Sequence, residues 1–96
     1  MSDKKPSQKT VTIEGHDYLL QKLDNMSYLE MADRYRDMYG KILVKNQYVE
    51  VLKNLVVAVD EDYQAAKDLD PNSFENLATC RKVVQAAENF QSGESV

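Results

Sequence analysis

The sequence is poorest in the residues that would build a small protein around anything but a packed core. Its 96 residues include one cysteine, one histidine, two prolines, three glycines and no tryptophan. A lone cysteine, Cys80, excludes an internal disulfide framework; set among Leu77, Val83 and Val84, it reads as a small buried hydrophobe. So little proline and glycine, beside 43% hydrophobic and 29% charged residues, excludes a collagen-like, low-complexity or wholly disordered chain. The longest aliphatic run covers residues 55–59, against the roughly 20 residues of a membrane span. A basic excess is missing too: 12 basic and 16 acidic residues leave a net charge of −4. Nucleic-acid binding draws much of its affinity from phosphate neutralisation, so no nucleic-acid partner is expected. The basic cluster Lys4, Lys5 and Lys9 reads as a solubilising terminus. The opening residues lack the apolar stretch of a secretory signal, which with the lone thiol predicts a reducing cytoplasmic setting.

Motifs that carry chemistry are also wanting. The sequence shows no glycine-rich phosphate loop, nucleophile elbow or paired-carboxylate signature. A cysteine–histidine pair would have to join Cys80 to His16, and a single histidine leaves a zinc site short of ligands. The segment Asp68-Leu69-Asp70-Pro71-Asn72-Ser73 begins like a calcium loop. The likeness stops at Ser73, where the loop needs glycine, and at Thr79, where it needs a bidentate glutamate. Asp60-Glu61-Asp62 reads as a solvated helix face. No catalytic residue, metal, cofactor or small-molecule substrate is therefore expected, and the chain does not read as an enzyme.

What is present is strong local punctuation. Val11 and Ile13 alternate with Thr10 and Thr12, Glu14-Gly15 supplies a two-residue turn, and Tyr18, Leu19 and Leu20 return. This predicts a β-hairpin with Val11 opposite Tyr18. Ser27 to Glu30 reads as a capping box, stapled by Met26 and Met31. Two apolar series then run at seven-residue spacing. One is Tyr28, Tyr35, Ile42, Val49, Val56 and Tyr63; the other is Met31, Met38, Lys45, Leu52, Val59 and Ala66. The tyrosines in these series read as core or seam packing. The repeat stays in phase across Gly40 and predicts a continuous helix over 28–68. A break at Gly40, whose missing side chain suits a C-cap, gives a helical hairpin instead. The run 56–59 also reads as a strand, but the polar stripe Asn46, Glu50, Lys53 and Asn54 favours helix. A last helix is capped by Asp70, with Pro71 at its first position and Leu69 stapled onto Phe74. The expected fold is mainly α: a flexible tail over 1–8, then one domain over 9–91, then a frayed end over 92–96. That domain has an N-terminal hairpin, a long helix or helical hairpin, and a shorter antiparallel C-terminal helix.

The segment Val11-Thr12-Ile13-Glu14-Gly15-His16-Asp17-Tyr18-Leu19-Leu20-Gln21-Lys22-Leu23 resembles the opening of small tailed-phage tail assembly chaperones. That resemblance implies a helical body after the hairpin, a cytosolic assembly role, a tape-measure or tube protein as partner, and no chemistry. It carries over no functional residues.

From the residues themselves, the expected function is non-catalytic protein–protein interaction, as an assembly chaperone, adaptor or inhibitor. A small structural subunit of a larger, virion-like assembly is the alternative. A helix apolar on more than one side needs covering, so a homodimer is expected along Ile42, Val49, Leu52, Val56, Val59 and Tyr63. Lys45 in the seam would fix register, and no membrane contact is expected.

Overall fold

A computed structural model of the chain describes residues 8–93. In chain order the elements are β1 (Gln8–Ile13), β2 (His16–Gln21), α1 (Asn25–Arg34), α2 (Val44–Leu55), β3 (Val56–Val59), α3 (Tyr63–Lys67), a 3-10 turn (Pro71–Ser73) and α4 (Leu77–Gln91). The three strands form one antiparallel sheet in the order β1-β2-β3, with β2 in the centre. With 52% helix and 22% strand this is an α+β fold, and the mainly α reading is corrected. The tails expected over 1–8 and 92–96 fall largely outside the described residues. Gln8 already belongs to β1, and residues 92–93 close the C-terminal end of α4.

The hairpin forms in the expected register, with Val11 opposite Tyr18 and Ile13 opposite His16. Glu14 and Gly15 both take positive φ, at 52° and 87°, as a primed turn requires to match strand twist. Tyr18 and Leu20 are buried, while Val11 and Ile13 pack half-buried beside them.

The continuous helix over 28–68 does not form; it is replaced by two helices, a strand and a short third helix. The first break lies around Gly40. Asp37 occupies the first position of a tight turn and Gly40 the fourth, with Gly40 N donating to Asp37 O at 2.9 Å. Both residues suit those positions of a type I turn. The Asp37 carboxylate also accepts from the Tyr39 and Lys41 N–H groups at 2.8 and 2.9 Å. Arg36 and Ile42 pair as an isolated bridge that closes the loop.

The second break comes at Val56, where α2 passes directly into β3. Side chains tie the last turn of α2, one of them on a terminal carbonyl. Gln21 Nε2 donates to Asn54 O at 2.7 Å, and Asn54 Nδ2 donates to Glu50 O at 2.8 Å. The β-branched run Val56-Val57-Ala58-Val59 then pairs with β2, Tyr18 opposite Val59 and Leu20 opposite Val56, with an irregularity between Leu19 and Leu20. Two strands alone are marginal in water, and this third strand completes the sheet.

The caps also shift. α1 takes Asp24 as its N-cap residue, so Ser27 lies inside the first turn and the proposed box with Glu30 is not the cap. Asp70 does cap, reciprocally with Ser73, but the element it starts is the 3-10 turn. Asn76 caps α4, accepting from Thr79 N at 2.9 Å. At 15 residues α4 is the longest described helix, rather than a short closing one. Its Cys80, Val83, Val84 and Ala87 are buried against Leu20, Met31, Tyr35, Val51, Leu52 and Leu55, whereas Leu77 is exposed.

Beyond β3, Asp60 and Glu61 both sit at positive φ, 52° and 68°, a conformation that costs a non-glycine residue about 1–2 kcal/mol. Asp60 is held there by its own contacts, accepting from Asp17 N at 2.8 Å and meeting His16 Nδ1 at 2.8 Å. Glu61 has no such restraint among the described residues. Glu61→Gly should therefore stabilise the fold by about 0.5–1 kcal/mol, the relieved strain outweighing the added unfolded-chain entropy. Asp60→Gly should destabilise it, and denaturant unfolding of both variants checks the pair of outcomes.

Candidate functional site

An open cleft of about 460 Å³ lies between α1, α2 and α4. Tyr28 and Tyr35 come from α1 and its C-terminal end, Arg36 and Ile42 from the following loop, Gln47 and Tyr48 from α2, and Arg81, Val84 and Glu88 from α4. α2 packs on both α1 and α4, and the Arg36–Ile42 pairing holds the loop at the mouth.

Glu88 organises the wall. Tyr28 Oη donates to Glu88 Oε1 at 2.5 Å, Tyr35 Oη donates to Oε2 at 3.2 Å, and Gln47 Nε2 reaches Oε2 at 3.4 Å. The two tyrosine hydroxyls lie 3.3 Å apart. Burial, then the bond to the Glu88 carboxylate, pushes the Tyr28 hydroxyl well above the usual phenol range. Burial likewise raises Tyr35. Both hydroxyls therefore stay protonated at neutral pH, as donors to a carboxylate. The network sets the shape of the cleft and leaves no activated nucleophile in it.

Between the lining residues Arg36 and Ile42 runs the turn over residues 37–41. Met38 is 86% exposed and Tyr39 87%, far more than large apolar side chains usually are in a folded domain. Ile42, Leu43 and Val44 continue the exposed apolar surface toward α2.

A second cavity, of about 280 Å³, lies beside the hairpin turn and includes Glu14, His16, Tyr18, Ser73 and Thr79. His16 pairs with Asp60 on the surface, and Ser73 Oγ accepts from Asp70 N within the 3-10 cap. Glu14 is engaged by Thr79 Oγ1 at 2.9 Å and Lys82 Nζ at 2.8 Å, which fastens the hairpin turn to α4. These contacts engage Glu14, His16, Ser73 and Thr79 as structural fasteners. Among the described residues no group of His, Cys, Asp and Glu gathers as metal ligands. Cys80 is buried, and that burial pushes its thiol up.

The six residues expected to form one association face are dispersed. Leu52 and Val56 lie in the core, 0% and 4% exposed. Val59 pairs with Tyr18 in the sheet, and Tyr63 opens α3 beside a third cavity. Val49 is exposed on α2, and Ile42 alone of the six reaches the cleft. Sequence reasoning placed Tyr28 and Tyr35 together through their seven-residue spacing, and their hydroxyls do meet. It missed Arg36, Met38, Tyr39, Gln47, Tyr48, Arg81 and Glu88. The turn signature from Asp37 to Gly40 is the signal that exposes Met38 and Tyr39. Nothing local marks Glu88, whose partners lie 41 to 60 residues away.

Tyr28→Phe should cost about 1–2 kcal/mol in denaturant unfolding, since it removes a donor from a half-buried carboxylate. The surface pair His16–Asp60 predicts a pH signature. Hydrogen bonding to Asp60 raises His16 above its ordinary 6.5, and hydrogen bonding to His16 lowers Asp60 below its ordinary 3.8. The His16 contribution is complete below 6.5 and is lost as pH rises through its raised value; the Asp60 contribution is complete above 3.8 and is lost as pH falls through its lowered value. The stability deficit of His16→Gln should thus be largest between those two ordinary values and shrink above neutrality, as read from melting temperature across pH.

Comparison with family models, curated proteins and solved structures returns no match.

Proposed function

We propose that this chain is a non-catalytic protein-interaction module that docks a partner over the α1–α2–α4 cleft and the 37–41 turn. The observation that carries the reading is the exposure of Met38 and Tyr39 in the turn between Arg36 and Ile42, two residues that line an aromatic-walled cleft. Each large side chain left in water forgoes about 1.5–3 kcal/mol relative to burial. Aromatic residues, methionine and arginine are the types enriched at interface centres, and this surface combines Tyr39, Tyr48, Met38, Arg36 and Arg81. The Tyr28, Tyr35, Gln47 and Glu88 groups of the wall are committed to one another by hydrogen bonds, which suits a preorganised docking surface better than a reaction centre. An assembly chaperone, an adaptor and an inhibitor all act in this way. The similarity of residues 11–23 to tail assembly chaperones points to the first of these, working in a reducing cytoplasm.

The test is affinity capture from the native host with mass spectrometry, comparing the wild-type chain with Met38→Asp and Tyr39→Ser. Proteins retained by the wild type should be lost with either variant, while melting temperatures stay within a few degrees because both positions are exposed. Capture that ignores both substitutions would overturn the docking face. A purified chain that polymerises, and keeps doing so in both variants, would point instead to a structural subunit joined through the β1 edge, which has no strand partner among the described residues.

A further inference from the structure

The cleft holds three charged side chains, Arg36, Arg81 and Glu88. The negative one is already satisfied: both Glu88 oxygens accept from Tyr28, Tyr35 and Gln47. The positive ones are not. Among the described residues the ion pairs are His16–Asp60, Arg34–Glu50 and Lys82–Glu14, so neither cleft arginine meets a carboxylate. Arg36 spends one N–H on Gly40 O at 3.0 Å, and Arg81 makes no hydrogen bond to another described residue. Two guanidiniums without counter-charges therefore face one concavity in a chain whose net charge is −4.

Resting on the docking reading above, we infer that the cleft receives an acidic segment of its protein partner, with an Asp or Glu carboxylate on Arg81 and Arg36 and a neighbouring large apolar side chain against Ile42, Tyr48 and Val84. A guanidinium offers a planar fork of donors that fits a carboxylate with two parallel bonds. The chain's overall negative charge does not oppose this, because at physiological salt charges beyond about 8 Å are screened and the local pair of arginines decides. A volume of about 460 Å³ is at the scale of one or two bound side chains rather than a whole helix.

The experiment is selection of short peptides from a randomised display library on the immobilised full chain. Selected peptides should place Asp or Glu beside Leu, Phe or Trp. Their affinity should fall by about tenfold or more in Arg81→Glu, fall less in Arg81→Met, and stay unchanged in Lys53→Glu, an exposed α2 residue outside the cleft. Raising the salt concentration should weaken them. Neutral or basic peptides that depend on Tyr39 but not on Arg81 would overturn the acidic partner while leaving the docking face intact. Peptides indifferent to both Tyr39 and Arg81 would overturn both. A concentration-dependent dimer abolished by Arg81→Glu would identify a second copy of this chain as the occupant and also overturn the inference.

Discussion

The direct passage from α2 into β3 at Leu55 and Val56 is the constraint on which the rest of the molecule depends. A β-hairpin by itself cannot hold its shape in water, and β2 has one edge to offer after pairing with β1. Val56–Val59 takes that edge. Because no loop intervenes, α2 is committed to leave the sheet at that edge, next to α4. The cost of ending a helix so abruptly is a set of orphan carbonyls. Gln21, itself the last residue of β2, donates to one of them at Asn54, so the strand that recruits β3 also caps the helix before it. The sheet, the helix end and the side-chain bond support one another.

α4 is the second organiser, and it serves both the core and the cleft. Its inner face contributes Cys80, Val83, Val84 and Ala87 to the core. Thr79 and Lys82 hold the hairpin turn through Glu14. At the other end, the buried Gln91 amide makes two bonds to Leu23, donating to its carbonyl at 2.9 Å and accepting its N–H at 2.7 Å. A side-chain amide used in this way mimics a strand partner and pins the link between β2 and α1. Between these fasteners, the same helix turns Arg81 and Glu88 into the cleft. The cleft is therefore built on an element anchored at both ends.

Several features were legible without the fold. The hairpin, its register and its turn follow from alternation at Val11 and Ile13 and from Glu14-Gly15, because turn chemistry and the strand period are local. The seven-residue relation of Tyr28 and Tyr35 was also legible, although their meeting point is a carboxylate on α4 rather than a seam. Other features were legible but outweighed. Asp37 and Gly40 satisfy a type I turn, yet an unbroken heptad phase spoke more loudly for helix. That phase runs through two helices, a loop, a strand and a third helix that are not continuous with one another. Apolar periodicity reports only that residues want burial together, and α1 and α2 each bury one face against the same core without being continuous.

The sequence by itself determined the elements whose information lies within a few residues: the hairpin, the α4 face, the capping character of Asp70, and the scarcity of reactive side chains. Only the tertiary structure decided the state of residues 56–59, the burial of Leu52 and Val56, and the assembly of Tyr28, Tyr35, Gln47 and Glu88. The reason is physical. A β-branched run is a poor helix and a good strand by small margins, and an available strand edge on β2 tips that balance. The Glu88 carboxylate is half-buried because hydroxyls from a helix 53 and 60 residues earlier reach it, and distance along the chain carries no record of that meeting.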